Sequence, residues 1–295
     1  MMIGQFCEYL RYECNKSPLT VQNYSKDLRA FEEYLAETDC HLDLLSADAD
    51  VIRGWMESMM DKGNAATSVG RRLSAVRCFY RYAVKTGLVS KNPTQRILRP
   101  KTAKPLPQFL KEDEADRLVD WTEAKEDASF KEMRAHAIIT AFYETGIRLS
   151  ELIGLDDDSV DLASRQMKVR GKGNKQRIVP FGEELAQTIA DYIKVREGSV
   201  ARVDNALFVT EKGRRMNSDQ VRYEVRKHVS MVSTLKKRSP HVLRHTFATA
   251  MLNHGAGIES IRKLLGHESV KTTEIYAHTT FEQLKRVYKH AHPRA

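Results

Sequence analysis

The chain has 295 residues, of which 41% are hydrophobic, and a formal net charge of +9. This length and apolar content suit two globular domains and exclude a broadly disordered protein. No apolar run approaches the ~20 residues needed to cross a membrane. Acidic residues interrupt the apolar ones in MMIGQFCEYLRYE, so we expect no secretory signal, no membrane partner and a cytoplasmic location.

The charge is distributed unevenly along the chain. Residues 1–61 hold five Lys/Arg against twelve Asp/Glu, whereas residues 62–107 hold eleven Lys/Arg and no carboxylate at all. An ordinary solvated surface mixes both signs. A polyanion such as double-stranded DNA therefore explains the basic stretch better than a need for solubility does.

The cysteines show no CxxC spacing, which argues against a zinc site and for no metal in general. In a reducing compartment they are expected to be buried free thiols. They are Cys7, Cys14, Cys40 and Cys78.

The first 90 residues predict short amphipathic helices that form an N-terminal domain. Thr20 is a plausible N-cap, and apolar residues follow it at helical spacing from Val21 to Leu35. A second helix is predicted over residues 49–60, after Asp48, and a third over roughly 66–86, with Gly87 ending it.

The third helix combines a buried stripe with basic residues on the opposite side. Since no acid balances these residues, we favour contact with DNA phosphates over an ordinary surface helix. The candidates for DNA contact in this helix are Arg71, Arg72, Arg77, Arg81 and Lys85.

A basic, proline-rich segment follows the helical domain. Four of the eight prolines lie between Pro93 and Pro107, and proline favours an extended chain. We therefore expect a domain over 1–90, a linker over 91–108 and a second domain over 109–295. Lys101 and Lys104 in the linker are further candidates for DNA contact.

The second domain is predicted to be mostly helical with a small sheet, so that the fold class is mainly α with a small antiparallel β-sheet. A β-hairpin with a glycine-rich turn is predicted over MKVRGKGNKQRIVP, and a short strand over ALFVT. The turn also carries Lys175, a candidate for DNA contact. Helices are expected from near Lys111 and over 131–145, 183–196, 218–233, 241–253, 257–265 and 273–277, with a tail helix near 280–290.

Six residues of the second domain are of the types that bind and attack a phosphate. They are Arg148 in TGIRLSEL, Lys172 in RGKGNKQR, His241 and Arg244 in HVLRH, His267 in LLGH, and Tyr276.

These side chains match what phosphodiester cleavage requires. Arg148 and Arg244 can neutralise the non-bridging oxygens of a pentacoordinate transition state, and the histidines can donate hydrogen bonds or move protons. Lys172 could reach into a DNA groove or protonate a departing 5′ oxygen. Tyr276, with an ordinary pKa of about 10, needs nearby positive charge or a base such as His241 to act as a nucleophile.

Each residue also has an ordinary structural explanation when it is taken alone. Arg148 could pair with Glu144 or Glu151, GKGNK could be a solvated turn, and Gly266 could be a left-handed helix C-cap. Taken together, in this order and spacing, the six residues favour DNA strand breakage without metal, nucleotide or other cofactor.

Four segments of the second domain read ETGIRLSELIGL, GKGNKQRIVP, HVLRHTFAT and LLGHESVKTTEIYAH. They resemble the tyrosine recombinase (phage-integrase) family, and its Xer branch in particular. TVQNYSKDLRAFEEYL and the linker resemble that branch as well. The resemblance implies an N-terminal helical core-binding, SAM-like domain and a C-terminal catalytic domain. It also implies that Arg148, Lys172, His241, Arg244 and His267 are the activating residues and Tyr276 the nucleophile.

The resemblance further implies a tetramer on a roughly palindromic DNA site, exchanging strands through a 3′-phosphotyrosyl intermediate and a Holliday junction. The tetramer could be homomeric or include a paralogous recombinase, and a DNA translocase is an expected regulator. The tail helix is expected to dock into a neighbouring protomer rather than on its own domain. Resolution of chromosome dimers at cell division is the favoured task.

Other functions remain as alternatives. A mobile-element integrase or a DNA invertase would use the same chemistry. A DNA-binding protein without catalysis would use only the closure of the two domains around a duplex. A metal-dependent nuclease would need clustered carboxylates, for which Asp156–Asp158 is the one local candidate, and these more plausibly form a turn. An ATP-driven enzyme would need a GxxxxGK[ST] loop, which the sequence lacks.

Overall fold

The computed structural model describes residues 2–39, 41–102, 108–122, 128–171, 175–266 and 281–294. The chain divides into two compact units, Met1–Pro105 and Leu106–Ala295. None of the helices within the described ranges combines the length and the apolar character needed to span a membrane.

In its described residues, the first unit contains helices and no strand. It contains α1 (Met2–Glu8), continued by a π-helical turn over Tyr9–Glu13, then α2 (Pro18–Thr38), α3 (Ala49–Asp61) and α4 (Ala66–Lys85). One apolar core holds these helices together, because each of them buries its hydrophobic face there. Fully buried members include Phe6, Leu28, Phe31, Leu35, Ile52, Leu73, Val76 and Phe79.

The structure corrects the start of α2 and confirms the boundaries of α3 and α4. The N-cap of α2 is Ser17 rather than Thr20, since the Ser17 hydroxyl accepts the Thr20 N–H at 3.3 Å and Pro18 occupies the first helical position, where no amide proton is needed. Asp48 caps α3 as predicted, accepting two backbone N–H groups at 2.8 and 2.9 Å. Gly87 follows α4 with φ of +75°, the left-handed conformation expected of a helix-ending glycine.

The basic face of α4 is partly neutralised by carboxylates from other helices. Arg71 donates two hydrogen bonds to the buried Asp27 of α2, at 2.5 and 2.8 Å, and Lys85 donates to Glu13 at 3.0 Å. The premise that no acid balances this face was therefore wrong. Counting charges along residues 62–107 misses acids that reach the face from earlier in the chain.

The second unit combines eight helices, within its described residues, and a three-stranded antiparallel sheet. The helices of its first part are α5 (Glu112–Thr122), α6 (Phe130–Thr145) and α7 (Leu149–Ile153). The strands β1 (Val160–Asp161), β2 (Gln166–Arg170) and β3 (Gln176–Pro180) follow in the spatial order β1-β2-β3, and Met167 pairs with Val179. The remaining helices are α8 (Glu183–Ser199), α9 (Ser218–Val232), α10 (Pro240–Asn253), α11 (Ile258–Leu265) and α12 (Phe281–Ala291).

The predicted hairpin and the predicted helices of this unit are confirmed wherever they fall within the described residues, but the predicted strand ALFVT is wrong. That segment forms two isolated bridges, from Ala206 to Asp156 and from Val209 to Arg215, and no ladder. Its apolar residues are nevertheless buried, because a short hydrophobic run can fill a core without being a strand. The predicted helix over 273–277 lies outside the described residues.

The Asp156–Asp158 segment forms a turn, as expected. Asp156 precedes a short 3-10 helix and pairs with Arg215 at 2.5 Å. Asp157 pairs with the fully buried Arg196 at 2.8 Å and with Arg202 at 2.5 Å. These carboxylates are therefore committed to ion pairs within the fold.

Within the single chain, the tail helix α12 packs against its own unit. Its docking into a neighbouring protomer stays a prediction. Tyr288 and Ala291 are buried in a cluster with Phe247 and Leu264. Beyond the helix, Arg294 binds three carboxylates, those of Asp116, Asp120 and Glu184. The side chains of Phe281 and Leu284, in the first turn of this helix, lie outside those that the structure describes.

Tyr288 also contacts the buried carboxyl group of Glu144, which lies near the end of α6. Its hydroxyl donates to Glu144 Oε2 at 3.1 Å, and the Gly182 N–H donates to the same oxygen at 2.9 Å. Glu144 is fully buried, and this burial raises its pKa to about 8. The side chain is therefore mostly protonated at neutral pH.

This raised pKa predicts a specific effect of Glu144→Gln. Between about pH 4.5, where Glu144 ionises in the unfolded chain, and about pH 8, the folded state keeps a proton that the unfolded state releases. The free energy of unfolding should therefore fall as pH rises, by up to about 1.4 kcal/mol per unit, and glutamine should remove this slope. Urea titrations from pH 5 to 8 should show the variant gaining stability over the wild type as pH rises.

The comparison between the two proteins isolates Glu144 from the buried histidines. Burial lowers the pKa of His136 and of His292 to about 4, so both contribute stability that is lost as pH falls below about 6.5, equally in both proteins. The exposed Glu183→Gln serves as the matched control. Parallel curves for Glu144→Gln and wild type would show that Glu144 is ionised in the folded state.

The thiols of the first unit are free and half-buried at Cys7, Cys14 and Cys78. Cys40 lies outside the described residues. Their partial exposure is greater than the burial that the sequence predicted.

Candidate active site

Arg148 is placed by a sharp reversal between α6 and α7. Gly146 ends α6 with φ of +57°, and a Cβ atom at this position would lie 2.5 Å from Phe247 Cδ1. Only glycine combines that conformation with that close approach. The chain then passes through the buried Ile147 to Arg148, which is the N-cap of α7.

A buried carboxylate holds this arginine in place. Glu151 Oε2 accepts the backbone N–H of Arg148 at 2.7 Å, and Oε1 accepts Nη1 of Arg148 at 2.8 Å. Arg177 of β3 donates to both oxygens of Glu151, at 2.6 and 3.0 Å. Burial alone would raise the pKa of Glu151, but the hydrogen bonds from Arg177 and Arg148 outweigh it, so the pKa is below its ordinary value.

Three arginines converge on the last carbonyl groups of α11. Nε of Arg177 donates to the Leu264 oxygen at 2.9 Å, Nη2 of Arg244 to the Leu265 oxygen at 2.7 Å, and Nη2 of Arg148 to the Gly266 oxygen at 2.7 Å. A helix C-terminus has unpaired carbonyls and partial negative charge, which suits cationic donors. We refer to Arg148, Arg177, Arg244 and Glu151 as the arginine site.

Gly266 has two roles in this arrangement. It caps α11 in the left-handed conformation, with φ of +64°, and this confirms the ordinary structural explanation of LLGH. A Cβ atom here would also lie 3.0 Å from Nη1 of Arg177. A glycine is therefore required both for the turn and for the approach of the guanidinium.

Arg244 is the most buried of the three arginines, at 7% exposure, and lies on α10. Its Nη1 donates to the Gly146 oxygen at 2.5 Å, so this residue links the ends of α6 and α11. Burial, together with the nearby charge of Arg148, lowers its pKa to about 10. It therefore stays protonated at neutral pH.

The histidines of the HVLRH segment are exposed. His241 lies three residues before Arg244 in the first turn of α10, and therefore on the same helix face. The pKa of His245 is lowered, chiefly by partial burial and then by the charges of His241 and Arg244. Imidazole groups at this position are available to exchange protons with solvent or a ligand.

Of the six candidate residues, the structure brings together Arg148 and Arg244, with His241 on the same helix as Arg244. Lys172, His267 and Tyr276 lie outside the described residues. The chain neighbours of two of them belong to the site, however. A Cβ atom at Gly171 would lie 3.5 Å from Glu151 Oε1, and Gly266 is bound by Arg148.

The candidates for DNA contact fall into different settings. In the first unit, Arg71 and Lys85 are ion-paired, Nη1 of Arg72 approaches the Met59 sulfur at 3.2 Å, Arg77 donates to a backbone carbonyl, and Arg81 is exposed. Lys101 in the first unit and Lys175 in the second are exposed, and Lys104 lies outside the described residues.

Sequence reasoning missed Arg177, and treated Glu151 only as an ordinary partner of Arg148. The signal for Arg177 was present in QRIVP, where a charged residue sits inside a short apolar strand and so needs a buried partner. The contact of its side chain with Glu151 of α7 could not be read from local sequence.

The arginine site is suited to binding a phosphate group. The site has three guanidinium groups and one carboxylate, Glu151, which bonds to Arg148 and Arg177. The described part of the site therefore carries excess positive charge. Guanidinium groups match the oxygens of phosphate in geometry and stay charged. An entering phosphodiester can therefore compete with the α11 carbonyls for these donors.

Family comparisons agree with this geometry. Residues 108–283 match the model of the phage integrase family, and residues 3–87 match that of the phage integrase N-terminal SAM-like domain. The tyrosine recombinase XerC of Chlorobaculum tepidum is 36% identical, with 99% of this chain and 94% of that protein covered. The XerC of Pelotomaculum thermopropionicum is 38% identical, with 99% and 98% covered.

Solved structures show the same fold. A crystal structure of XerA recombinase is 29% identical, covers 100% of this chain and 99% of its own, and has a TM-score of 0.50. A XerH recombinase bound to a difH substrate is 21% identical, covers 96% and 82%, and has a TM-score of 0.71. From its matches over both halves, the chain belongs to the phage integrase family of tyrosine recombinases, in its Xer-like branch, and is an enzyme that cuts and rejoins DNA.

Proposed function

We propose that Tyr276 is the nucleophile of this recombinase and that Arg148, Lys172, His241, Arg244 and His267 activate the scissile phosphate. DNA binding would belong to an N-terminal domain over 1–90 and catalysis to a C-terminal domain over 109–295, joined by the basic linker over 91–108. Double-stranded DNA is the proposed substrate, with no metal or nucleotide cofactor.

One observation carries the assignment of the activating residues. Arg148 and Arg244, which are far apart in sequence, donate to neighbouring carbonyl groups of the same helix end, at Gly266 and Leu265. That convergence is what binding of one phosphate by two guanidinium groups requires. Since Gly171 and Gly266 are at the same site, chain connectivity supports including Lys172 and His267.

The proposed reaction is a transesterification. The Tyr276 oxygen forms a bond to phosphorus while the bond from phosphorus to the 5′ oxygen breaks. His241 takes the tyrosine proton, and Lys172 gives a proton to the departing 5′ oxygen. The 3′-phosphotyrosyl ester keeps the energy of the broken strand, so religation by a 5′ hydroxyl needs no ATP.

The favoured biological task is resolution of chromosome dimers at cell division, in the cytoplasm. The full-length similarity to proteins named XerC supports this task over mobile-element integration or DNA inversion. The working assembly would be a tetramer on a roughly palindromic site, homomeric or with a paralogous recombinase. A DNA translocase is the proposed regulator.

The test is formation of a covalent adduct on DNA. The protein is incubated in EDTA with nicked duplexes that carry candidate palindromic chromosomal sites, and products are separated in detergent. We expect an adduct with the wild type and none with Tyr276→Phe. Tyr223→Phe, at an exposed tyrosine of α9, is the matched control and should keep the adduct.

Two outcomes would overturn parts of this proposal. An adduct that persists in Tyr276→Phe would exclude this residue as the nucleophile. If both proteins bind the sites in a native gel and neither forms an adduct, alone or with a paralogous recombinase added, the protein is a DNA-binding module without catalysis.

A further inference from the structure

The first unit contains an open cleft of about 420 Å³ that is lined by three arginines. Arg77 and Arg81 come from α4, and Arg99 comes from the segment that follows it. Polar side chains complete the lining, namely Tyr24, Ser74, Asn92, Thr94 and Gln95. We call this the arginine cleft.

The wall that carries Arg99 is fixed in place rather than loosely apposed. Arg99 Nη2 donates to the Ser74 hydroxyl at 2.8 Å, and Arg77 donates to the Ile97 carbonyl. Ile97 is buried in the core of the unit at 3% exposure, and Asn92 Oδ1 accepts from the Thr94 amide at 2.9 Å. Arg77 and Arg99 are therefore positioned before any ligand arrives, which lowers the entropic cost of binding.

The cleft lacks a counter-charge. In the described part of this unit, no carboxylate forms an ion pair with Arg77, Arg81 or Arg99, whereas Arg71 and Lys85 on the same helix are paired. The pKa of Arg77 is lowered by its partial burial and by the nearby charge of Arg99. Like charges held this close are stabilised by an anion.

We propose that the arginine cleft binds a backbone phosphate of the DNA substrate, and that Arg99 is one of its main ligands. The proposal rests on the proposed function, in that the substrate is duplex DNA. Guanidinium groups would supply charged donors, while the side-chain amides of Asn92 and Gln95 are neutral donors of the kind that position a phosphate.

The cleft divides the basic residues of α4 into two classes. Arg77 and Arg81 belong to the phosphate site, together with Arg99, which charge counting did not single out. Arg71 and Lys85 have their charge balanced within the fold, by Asp27 and Glu13. Only the first class should release counterions from DNA when the complex forms.

The experiment measures the salt dependence of DNA binding by the full chain. Dissociation constants for a duplex carrying the recombination site are determined at several salt concentrations. Arg99→Gln should weaken binding about tenfold or more at low salt. It should also reduce the slope of log K against log salt by about 0.9, the value for one lost phosphate contact. Arg81→Gln, also at an exposed residue, should show the same loss of affinity and the same reduction of the slope.

Arg96→Gln is the matched control, because Arg96 is exposed, lies three residues from Arg99 and is not part of the cleft. It should leave the slope within error of the wild type. An equal loss for Arg96→Gln and Arg99→Gln would overturn the proposal, since the effect would then be that of general positive charge. Thermal unfolding of each variant excludes loss of fold as the cause.

The outcome is separable from that of the proposed function. Adduct formation on nicked DNA is measured for the wild type and for the control Arg96→Gln, which should form the adduct like the wild type. Wild-type protein that cleaves DNA but shows no special effect of Arg99 would refute the cleft alone. Suppose that the wild type forms no adduct, but that Arg99→Gln has a smaller slope of log K against log salt than the wild type. The catalytic proposal alone would then be refuted.

Discussion

Replacing Arg244 with lysine should reduce the single-turnover rate of strand cleavage by about 100- to 1000-fold, the usual effect of removing one preorganised donor from a developing anion. The guanidinium of Arg244 donates to the Gly146 and Leu265 carbonyls at 2.5 and 2.7 Å. An ammonium group is a single point of charge, so it cannot reproduce this fork and also meet a phosphate oxygen. Cleavage of a nicked substrate at saturating protein measures the effect.

Two comparisons separate this effect from a loss of structure. Arg196→Lys changes an arginine that is likewise buried, but whose hydrogen bonds go to Asp157, Glu197 and the Ala206 and Leu207 carbonyls. It should lower thermal stability while leaving the cleavage rate of the folded protein within about threefold of wild type. If the two variants lose rate equally, Arg244 contributes only to folding.

Affinity for DNA should respond differently from rate. Arg244 keeps a positive charge as lysine, so the ground-state contribution to binding is mostly retained. An interaction that is stronger in the transition state than in the ground state appears in the rate and not in the dissociation constant. A large loss of affinity without loss of rate would contradict the role proposed for Arg244.

The helical framework follows closely from local sequence. Apolar residues three and four apart share one helix face, and this spacing predicted α4. The members of this apolar stripe all proved buried, and they are Val69, Leu73, Val76, Tyr80 and Ala83. Asp48 and Gly87 marked helix ends through chemistry that acts within a few residues. Such features depend only on neighbours in the chain, and they are what sequence reasoning can read.

The failures arose where distant residues meet. Charge counting placed Arg71 on a free basic face, although Asp27 of another helix neutralises it. ALFVT looked like a strand, but its neighbours in space offered two bridges and no ladder. Tertiary pairing of this kind leaves no signal at fixed spacing.

The candidate site divides in the same way. Arg148 and Arg244 were identifiable from motif chemistry, and the structure brings them to one helix end. Arg177 was not, since its importance comes from contacts with Glu151 and Leu264, which lie 26 and 87 residues away in sequence. Residues that position other residues are harder to recognise than those that touch a ligand.

Glu151→Gln should therefore damage both stability and catalysis. The carboxylate is fully buried and is bonded to Arg148 and Arg177. Removing one partner from a buried charge network typically costs about 3–5 kcal/mol, because the remaining charges are left uncompensated. Since Arg148 would lose the group that fixes its side chain, we expect the cleavage rate to fall at least tenfold, as misplacement of a catalytic group does. Chemical unfolding and single-turnover cleavage measure the two effects.

A double-mutant cycle tests whether Arg177 acts through Glu151 on Arg148. Arg177→Gln should slow cleavage while leaving the affinity for DNA little changed, and the double variant with Glu151→Gln should lose less rate than the product of the two single losses. Arg177→Lys, which keeps charge but not the two-point contact, should recover part of the rate. The exposed pair Arg222 and Asp219, 3.0 Å apart on α9, is the control cycle and should show almost no coupling. If the two single losses in rate multiply in the double variant, Arg177 only supports the fold. If the loss is shared, Glu151 and Arg177 act as one unit that positions Arg148 and the end of α11 for the phosphate.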